Sequence, residues 1–251
     1  MRVTILGSGT SIPHPKRASP GLIVQFDRST ILVDPSSGSL HRAAKAGVFL
    51  QDVDCVLFSH FHLDHTGDFG PLLFALKNTK YFGSKKIFLA GPTGLIDLHQ
   101  GVLDFYGSWV ELGQQRLTIR EIRNDELDFK DGTIQALPVL HTDNSLGYRF
   151  SDSRRRVFTY SGDSDYCQTL LELSRGADVA LIEAAQPSEM KVDGHLTPQL
   201  AGEIAREAGV KRLVITHLYP VCDGYDLIAE VQSSGYKGSA EIACDGMVID
   251  I

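Results

Sequence analysis

Cysteine is scarce in this chain, and the four present, Cys55, Cys167, Cys222 and Cys244, stand far apart. They form no C-x-x-C pair, which excludes a zinc knuckle and argues against a disulfide framework; they read as buried or incidental thiols. No uninterrupted apolar run approaches the roughly 20 residues that a membrane-spanning helix needs. A charged leader followed by an apolar stretch and a cleavage site is missing too, so a cytoplasmic setting is the expectation. Positive charge is not in excess: 24 Lys and Arg against 31 Asp and Glu leave a formal charge of −7. That balance speaks against broad electrostatic wrapping of nucleic acid. No Pro- or Ser-rich linker, low-complexity tract or close tandem repeat divides the sequence. One domain across residues 1–251 is therefore expected, and that length suffices to bury a core.

What is present is an ordinary soluble composition, 43% hydrophobic and 22% charged. Short apolar, β-branched runs recur at 3–6, 22–26, 31–33, 56–58, 87–89, 117–122, 134–139, 146–150, 157–160, 179–182, 213–215, 241–243 and 247–249. Most are bounded by Gly, Pro, Asp or Ser, the punctuation of strands. Helical patterns fall between them, near 40–46, 66–78, 93–106, 165–174, 197–208 and 225–233. The plainest helix has Thr197 as its N-cap, Pro198 in its first turn, an apolar stripe of Leu200, Ile204 and Ala208, and Gly209 to close it. Meanders that give way to βα units predict two mixed sheets with helices outside.

The chemistry concentrates in Phe58-Ser-His-Phe-His-Leu-Asp-His-Thr-Gly67. Extended backbone sends His60 and His62 to one side, and a following turn can swing Asp64 and His65 toward a second position. Three imidazoles and a carboxylate this close would repel or stay unsatisfied without a cation, so the motif points to two metal ions. Further ligand candidates sit where strands end: His141 after the run at 134–139, Asp163 in Thr159-Tyr-Ser-Gly-Asp-Ser164, and His217 closing Leu213-Val-Ile-Thr-His217. Nitrogen and carboxylate donors suit Zn²⁺, with Mn and Fe also accommodated. Two such ions can grip a substrate oxygen and bring bound water to a pKa of about 7, supplying a hydroxide nucleophile.

This ordered set resembles the metallo-β-lactamase superfamily, whose pattern is H-x-H-x-D-H followed by separate His, Asp and His ligands. The resemblance runs over essentially the whole chain and implies a four-layer αβ/βα sandwich with the metals at one edge, between the sheets. It implies that His60, His62 and His141 hold one ion, that Asp64, His65 and His217 hold the other, and that Asp163 bridges. His62 stands where redox members carry glutamate, which favours hydrolysis. Asp34, in Leu32-Val-Asp-Pro35, is expected to orient a ligand histidine from behind.

Leu6-Gly-Ser-Gly-Thr-Ser-Ile-Pro13, Ile182-Glu-Ala-Ala185, Gly194-His-Leu-Thr-Pro198 and Ile215-Thr-His-Leu218 resemble the ribonuclease Z branch. By that resemblance His195 contacts a scissile phosphate and protonates the leaving oxygen, Glu183 orients it, and Asp64 assists proton transfer besides binding metal. A histidine just before a helix N-terminus also meets free backbone N–H groups that favour anions. The branch's transfer RNA-binding arm has no counterpart: only the turn Ser151-Asp-Ser-Arg-Arg-Arg156 separates the strands between His141 and Asp163. Thr216-His-Leu-Tyr-Pro220 likewise replaces the branch's T-H-x-S-x-R-Y.

The expected function is a dinuclear metal-dependent phosphodiesterase acting on a small or nucleotide-like substrate. The alternatives are a transfer RNA 3′-processing endonuclease, a hydrolase of a lactone, thioester, β-lactam or aryl sulfate, and a non-catalytic metal-binding interaction protein. A homodimer is expected by family analogy. Lys16 and Arg17 are candidates to reach over the site, whereas Arg154, Arg155 and Arg156 read as a solvated hairpin tip. His14, His41 and His99 read as incidental. Trp109, with Phe105 and Tyr106, is expected to pack in a core or at a subunit contact.

Overall fold

Every apolar run named above becomes a strand in the computed structural model, which describes residues 1–113 and 115–251. In chain order these are β1 (Arg2–Gly7), β2 (Gly21–Gln25), β3 (Thr30–Val33), β4 (Cys55–Leu57), β5 (Ile87–Gly91), β6 (Leu117–Glu121), β7 (Asp125–Phe129), β8 (Gly132–Pro138), β9 (Leu146–Asp152), β10 (Val157–Tyr160), β11 (Val179–Glu183), β12 (Arg212–Thr216), β13 (Ser239–Ile242) and β14 (Val248–Asp250). They form two seven-stranded sheets, ordered β14-β1-β2-β3-β4-β5-β6 and β13-β12-β11-β10-β9-β8-β7. Each sheet is antiparallel over one part and parallel over the other, with β3 to β6 parallel in the first and β10 to β13 parallel in the second.

The helices are α1 (Ser39–Lys45), α2 (Leu63–Thr66), α3 (Phe69–Lys77), α4 (Thr79–Phe82), α5 (Leu95–Tyr106), α6 (Gln168–Ser174), α7 (Pro198–Glu207) and α8 (Leu227–Ser233). Alternation along the strands explains the layers. Val3, Ile5, Val24, Ile31 and Val33 face Ile134, Tyr148, Phe150, Phe158 and Leu181 across the middle of the sandwich. Their neighbours Ile23, Leu32 and Val56 turn outward onto Phe69, Leu72 and Leu73 of α3. On the far side Ala180, Ile182, Leu213 and Ile215 pack on Leu170, Ala201, Ile204 and Val231. Because both faces are covered, the central strands read as continuous apolar runs. The result is the expected αβ/βα sandwich. Among the described residues no helix is long and apolar enough to cross a membrane.

Four expectations need correction. β7 carries Asp-Glu-Leu-Asp-Phe and buries only Leu127, so an edge strand has no apolar run to announce it. The helix expected near 66–78 is α3, which starts only at Phe69, with the short α2 ending before it at Thr66. Asp68 breaks it, its carboxylate accepting the Gly38 and Leu40 N–H groups at 2.9 Å each and so capping α1 instead. The helix expected from 165 begins at Gln168, because the Asp165 N–H pairs with the Leu140 carbonyl at 2.6 Å. Finally, Trp109 and Phe105 are 70% and 81% exposed, so they pack in no core. They stand with Tyr106 at and just beyond the end of α5, a helix whose only buried residue is Leu95.

Candidate metal centre

The parallel strands of both sheets point their C-terminal ends toward one edge, where ligand sites form in open α/β sheets. Asp34 follows β3, Ser59 to His62 follow β4, Asp163 follows β10, Glu183 ends β11 and His217 follows β12. His141 arrives from the antiparallel β8, and α2 carries Asp64 and His65. Two of the three non-glycine residues with positive φ among the described residues belong here, Asp34 at 48° and His217 at 60°. Such backbone is costly for these residue types and concentrates at functional sites. Gly162, at φ 58°, lets the chain turn beside Asp163; a Cβ there would stand 2.8 Å from the Leu146 carbonyl oxygen and from the Ser59 Cβ.

His60 Nε2 and His141 Nε2 lie 3.0 and 3.1 Å from His62 Nδ1, so three ring nitrogens converge. With Asp163 they form one group of potential ligands; Asp64, His65 and His217 form a second; Asp163, His195 and His217 form a third that overlaps both, and all donor atoms within each group lie within 4.8 Å of one another. Asp163 sits between the groups. Its Oδ2 is 3.7 Å from His60 Nε2 and 3.3 Å from His217 Nε2, and its Oδ1 is 3.3 Å from His65 Nε2. Every residue of the expected ligand set is therefore brought together here.

The proton positions are dictated from behind. Asp34 is fully buried and accepts from Ser59 N at 2.7 Å, Ser59 Oγ at 2.7 Å, His65 Nδ1 at 2.8 Å and Tyr160 Oη at 2.9 Å. Since Ser59 gives its hydroxyl proton to Asp34, its oxygen is left to accept from His60 Nδ1 at 3.0 Å. His141 Nδ1 donates to the Gly194 carbonyl at 2.8 Å. Each of these histidines thus keeps a proton on Nδ1 and turns Nε2 inward, the atom a metal ligand must offer.

Electrostatics agree with a site built for cations. Burial, reinforced by the His65 imidazole, holds His60 well below the usual histidine range, and burial lowers His141 as well. Burial resists ionisation of Asp64, but the facing His217 and His65 prevail and hold it at about 2. Asp163 also stays well below the carboxylate range despite its burial, chiefly through His217 and His65. His65 Nε2, Asp163 Oδ1 and both ring nitrogens of His217 are buried without a hydrogen-bond partner among the described residues. Unsatisfied polar atoms of this kind cost free energy unless something occupies the space between them. Two ligands on a tetrahedral zinc, with bonds of about 2.0–2.1 Å, stand roughly 3.3 Å apart, close to the spacings here. The donor set fits divalent metal.

His195 lies beside the cluster, its ring centroid 4.7 Å from that of His141 and 5.7 Å from that of His217. Its Nδ1 is 2.8 Å from Glu183 Oε1, and Glu183, fully buried, also accepts from Ser164 N at 2.9 Å and Ala185 N at 3.1 Å. Burial opposes protonation of His195, but the Glu183 carboxylate outweighs it and raises the imidazole above its usual range. Its Nε2 is directed away from Glu183.

Residues 29–218 match the family model described as a beta-lactamase superfamily domain. The chain belongs to the metallo-β-lactamase superfamily. Ribonuclease Z of Mycobacterium bovis is 28% identical over 246 residues, covering 88% of this chain and 86% of that protein. The probable metallo-hydrolase YhfI of Bacillus subtilis is 28% identical over 258 residues and 99% of both chains. The crystal structure of YhfI superposes with a TM-score of 0.84 at 26% identity over 99% of each chain. Human tRNase Z, short form, shares the fold at a TM-score of 0.78 and 22% identity, covering 100% of this chain and 99% of that one. As a member of this superfamily the chain is a metallo-hydrolase.

Sequence reasoning missed Ser59, Tyr160 and the Gly194 carbonyl, which set the ligand tautomers. Tyr160 was read only as the end of a strand, and a carbonyl has no sequence signature. It also missed Ser11, whose N–H donates to Asp64 Oδ2 at 3.0 Å. Arg17, a candidate to reach over the site, is paired with Asp223 at 2.7 Å, and His14 joins the same carboxylate at 3.0 Å. Arg154 and Arg156 lie at the far end of β10 from Asp163, paired with Asp27 and Asp152.

Proposed function

We propose that this chain is a dinuclear metal-dependent phosphodiesterase for a small or nucleotide-like substrate. The observation that carries the reading is the His195–Glu183 pair, set beside the seven residues expected to hold metal. In this reading His60, His62 and His141 hold one ion, Asp64, His65 and His217 hold the other, and Asp163 serves both. Zinc suits the nitrogen and carboxylate donors best, and Mn or Fe are accommodated by the same set. When bound, two such ions polarise a phosphoryl oxygen and activate a water for in-line attack.

The chain's own residues supply the rest. Asp34, Ser59 and the Gly194 carbonyl hold three ligand rings in the tautomer that offers Nε2. Asp64, kept ionised at neutral pH, is placed to take a proton from the attacking water. His195, kept charged by Glu183, delivers the Nε2 proton to the departing oxygen. A cation beside the reaction centre also favours the charge that develops on phosphate. Arg154 and Arg156 stand at the opposite end of β10 from Asp163, paired with Asp27 and Asp152. Their distance from the centre supports a small phosphodiester over RNA.

Replacing His195 with Ala tests the assignment through the leaving group. Turnover of a diester with a poor alkoxide leaving group should fall by about 10²–10⁴-fold. A p-nitrophenyl ester, whose leaving group departs unprotonated, should lose far less. Equal losses on both would remove His195 from the role of acid, and turnover of lactones or thioesters alone would replace phosphate as the substrate class.

The ribonuclease Z relative of Mycobacterium bovis favours a second reading, transfer RNA 3′ processing, and cleavage of precursor transfer RNA on a gel decides it. Free thiols at all four cysteines support a reducing, cytoplasmic setting. The homodimer implied by family analogy is decided by sedimentation at micromolar protein.

A further inference from the structure

Asp165 lies two residues beyond Asp163 and belongs to none of the potential ligand groups. Its N–H donates to the Leu140 carbonyl at 2.6 Å, which fixes the strand end that delivers His141. One carboxylate oxygen, Oδ2, accepts from Gly194 N at 3.0 Å and from Lys191 Nζ at 2.7 Å, while Oδ1 accepts from Tyr166 N at 2.8 Å. The segment it grips is the one that matters for the site. Gly194 turns at φ 82°, offers its carbonyl to His141 Nδ1 at 2.8 Å, and is followed at once by His195. A Cβ on Gly194 would stand 3.3 Å from His141 Nδ1, so the two are packed as closely as the turn allows.

We infer that Asp165 is a positioning residue: by clamping residues 191–194 it holds the Gly194 carbonyl on His141, and so sets both the tautomer of a metal ligand and the place of His195. The inference rests on the two-metal reading above. Its physical content is a chain of three hydrogen bonds. Gly194 has no side chain to anchor it, so its peptide is located by what its N–H and C=O touch, and these touch Asp165 and His141. Lys191 closes the clamp from the solvent side, donating also to the Val192 carbonyl at 2.9 Å. Released from Asp165, the Gly194 peptide can rotate, the His141 ring loses the acceptor that keeps its proton on Nδ1, and Nε2 is no longer reserved for metal.

Asp165→Asn is the discriminating change, because it keeps size and removes an acceptor. Its amide N–H₂ must face either the Gly194 N–H and the Lys191 ammonium or the Tyr166 N–H, and all of these are donors. Metal-stripped protein is reloaded with zinc in competition with a chelator, and imidazole nitrogen NMR reports the His141 tautomer. One of the two ions should bind roughly 10- to 100-fold more weakly, the usual effect of losing a group that orients a ligand. The other ion should be unaffected, and the Nδ1–H signature of His141 should fade. Two ions bound at wild-type affinity, or an unchanged tautomer, would overturn the inference.

Should Asp165→Asn not fold, Lys191→Ala carries the test with a several-fold weakening of the same ion, and unchanged binding there would overturn it equally. Phosphodiester turnover read alongside separates the two claims. Weakened metal in a protein whose wild type cleaves no phosphodiester leaves the clamp standing and the proposed activity refuted. Robust turnover with unchanged metal in the variant refutes the clamp alone.

Discussion

Asp34→Asn should cost this protein both stability and one of its metals. In the wild type the Asp34 Oδ2 takes three donors, from Ser59 Oγ, His65 Nδ1 and Tyr160 Oη, while Oδ1 takes the Ser59 N–H. An asparagine can satisfy one side only. With its nitrogen in the place of Oδ1, two N–H groups confront each other in a fully buried site, at a cost of about 1–3 kcal/mol. With its nitrogen in the place of Oδ2, the two hydroxyls can rotate to accept, but His65 must surrender the proton on Nδ1. The imidazole then carries it on Nε2, where the second ligand group needs a lone pair. Either way the charge-assisted bonds are gone, each worth about 1.5–3 kcal/mol. Urea unfolding of metal-free protein should therefore show a loss of about 2–3 kcal/mol. Chelator competition should show one ion weakened by roughly 10- to 100-fold. A variant as stable as the wild type and loading both ions with undiminished affinity would refute the claim that Asp34 sets the His65 tautomer.

Two further changes probe the frame around the site. Gly162→Ala places a Cβ 2.8 Å from the Leu146 carbonyl oxygen in left-handed backbone, so it should cost at least about 1–2 kcal/mol in thermal unfolding and displace Asp163, visible as weaker metal uptake. Asp152→Asn acts far from the metals and is a probe of pH. The Asp152 carboxylate is nearly buried and bonds to the Arg156 guanidinium and to the Arg154 and Arg156 N–H groups. Burial raises its pKa, but Arg156 outweighs that and leaves it below the usual range. A depressed pKa means that the stabilisation is present above the unfolded carboxylate range and is lost as pH falls through the folded value. The variant should therefore be less stable by about 2 kcal/mol near neutrality, with the gap to the wild type closing toward pH 3 in unfolding curves; a gap that persists unchanged into acid would contradict this.

The sandwich was legible because its strands are buried on both faces and so announce themselves as apolar runs. The edge strand Asp125–Phe129 stayed hidden because solvent, not core, dictates its residues. The clustering of the seven ligand candidates was legible for a related reason: strands of a parallel sheet end together, so histidines and aspartates at strand ends must meet. The supports were not. The acceptor for His141 is a glycine carbonyl, and any residue has a carbonyl. Asp165 and Tyr160 look in sequence like an ordinary turn and an ordinary strand end. The partner of Arg17 was hidden too, since a basic loop residue looks free until Asp223 comes from more than two hundred residues away.

The account turns on whether two metal ions at this centre hydrolyse a phosphodiester. The direct measurement is turnover of bis(p-nitrophenyl) phosphate by protein stripped with chelator and titrated with zinc, with Asp64→Ala alongside. Turnover should be absent in stripped protein, rise until two equivalents of zinc are bound, and remain absent in the variant. Turnover without metal, or none in protein holding two equivalents, would contradict the account.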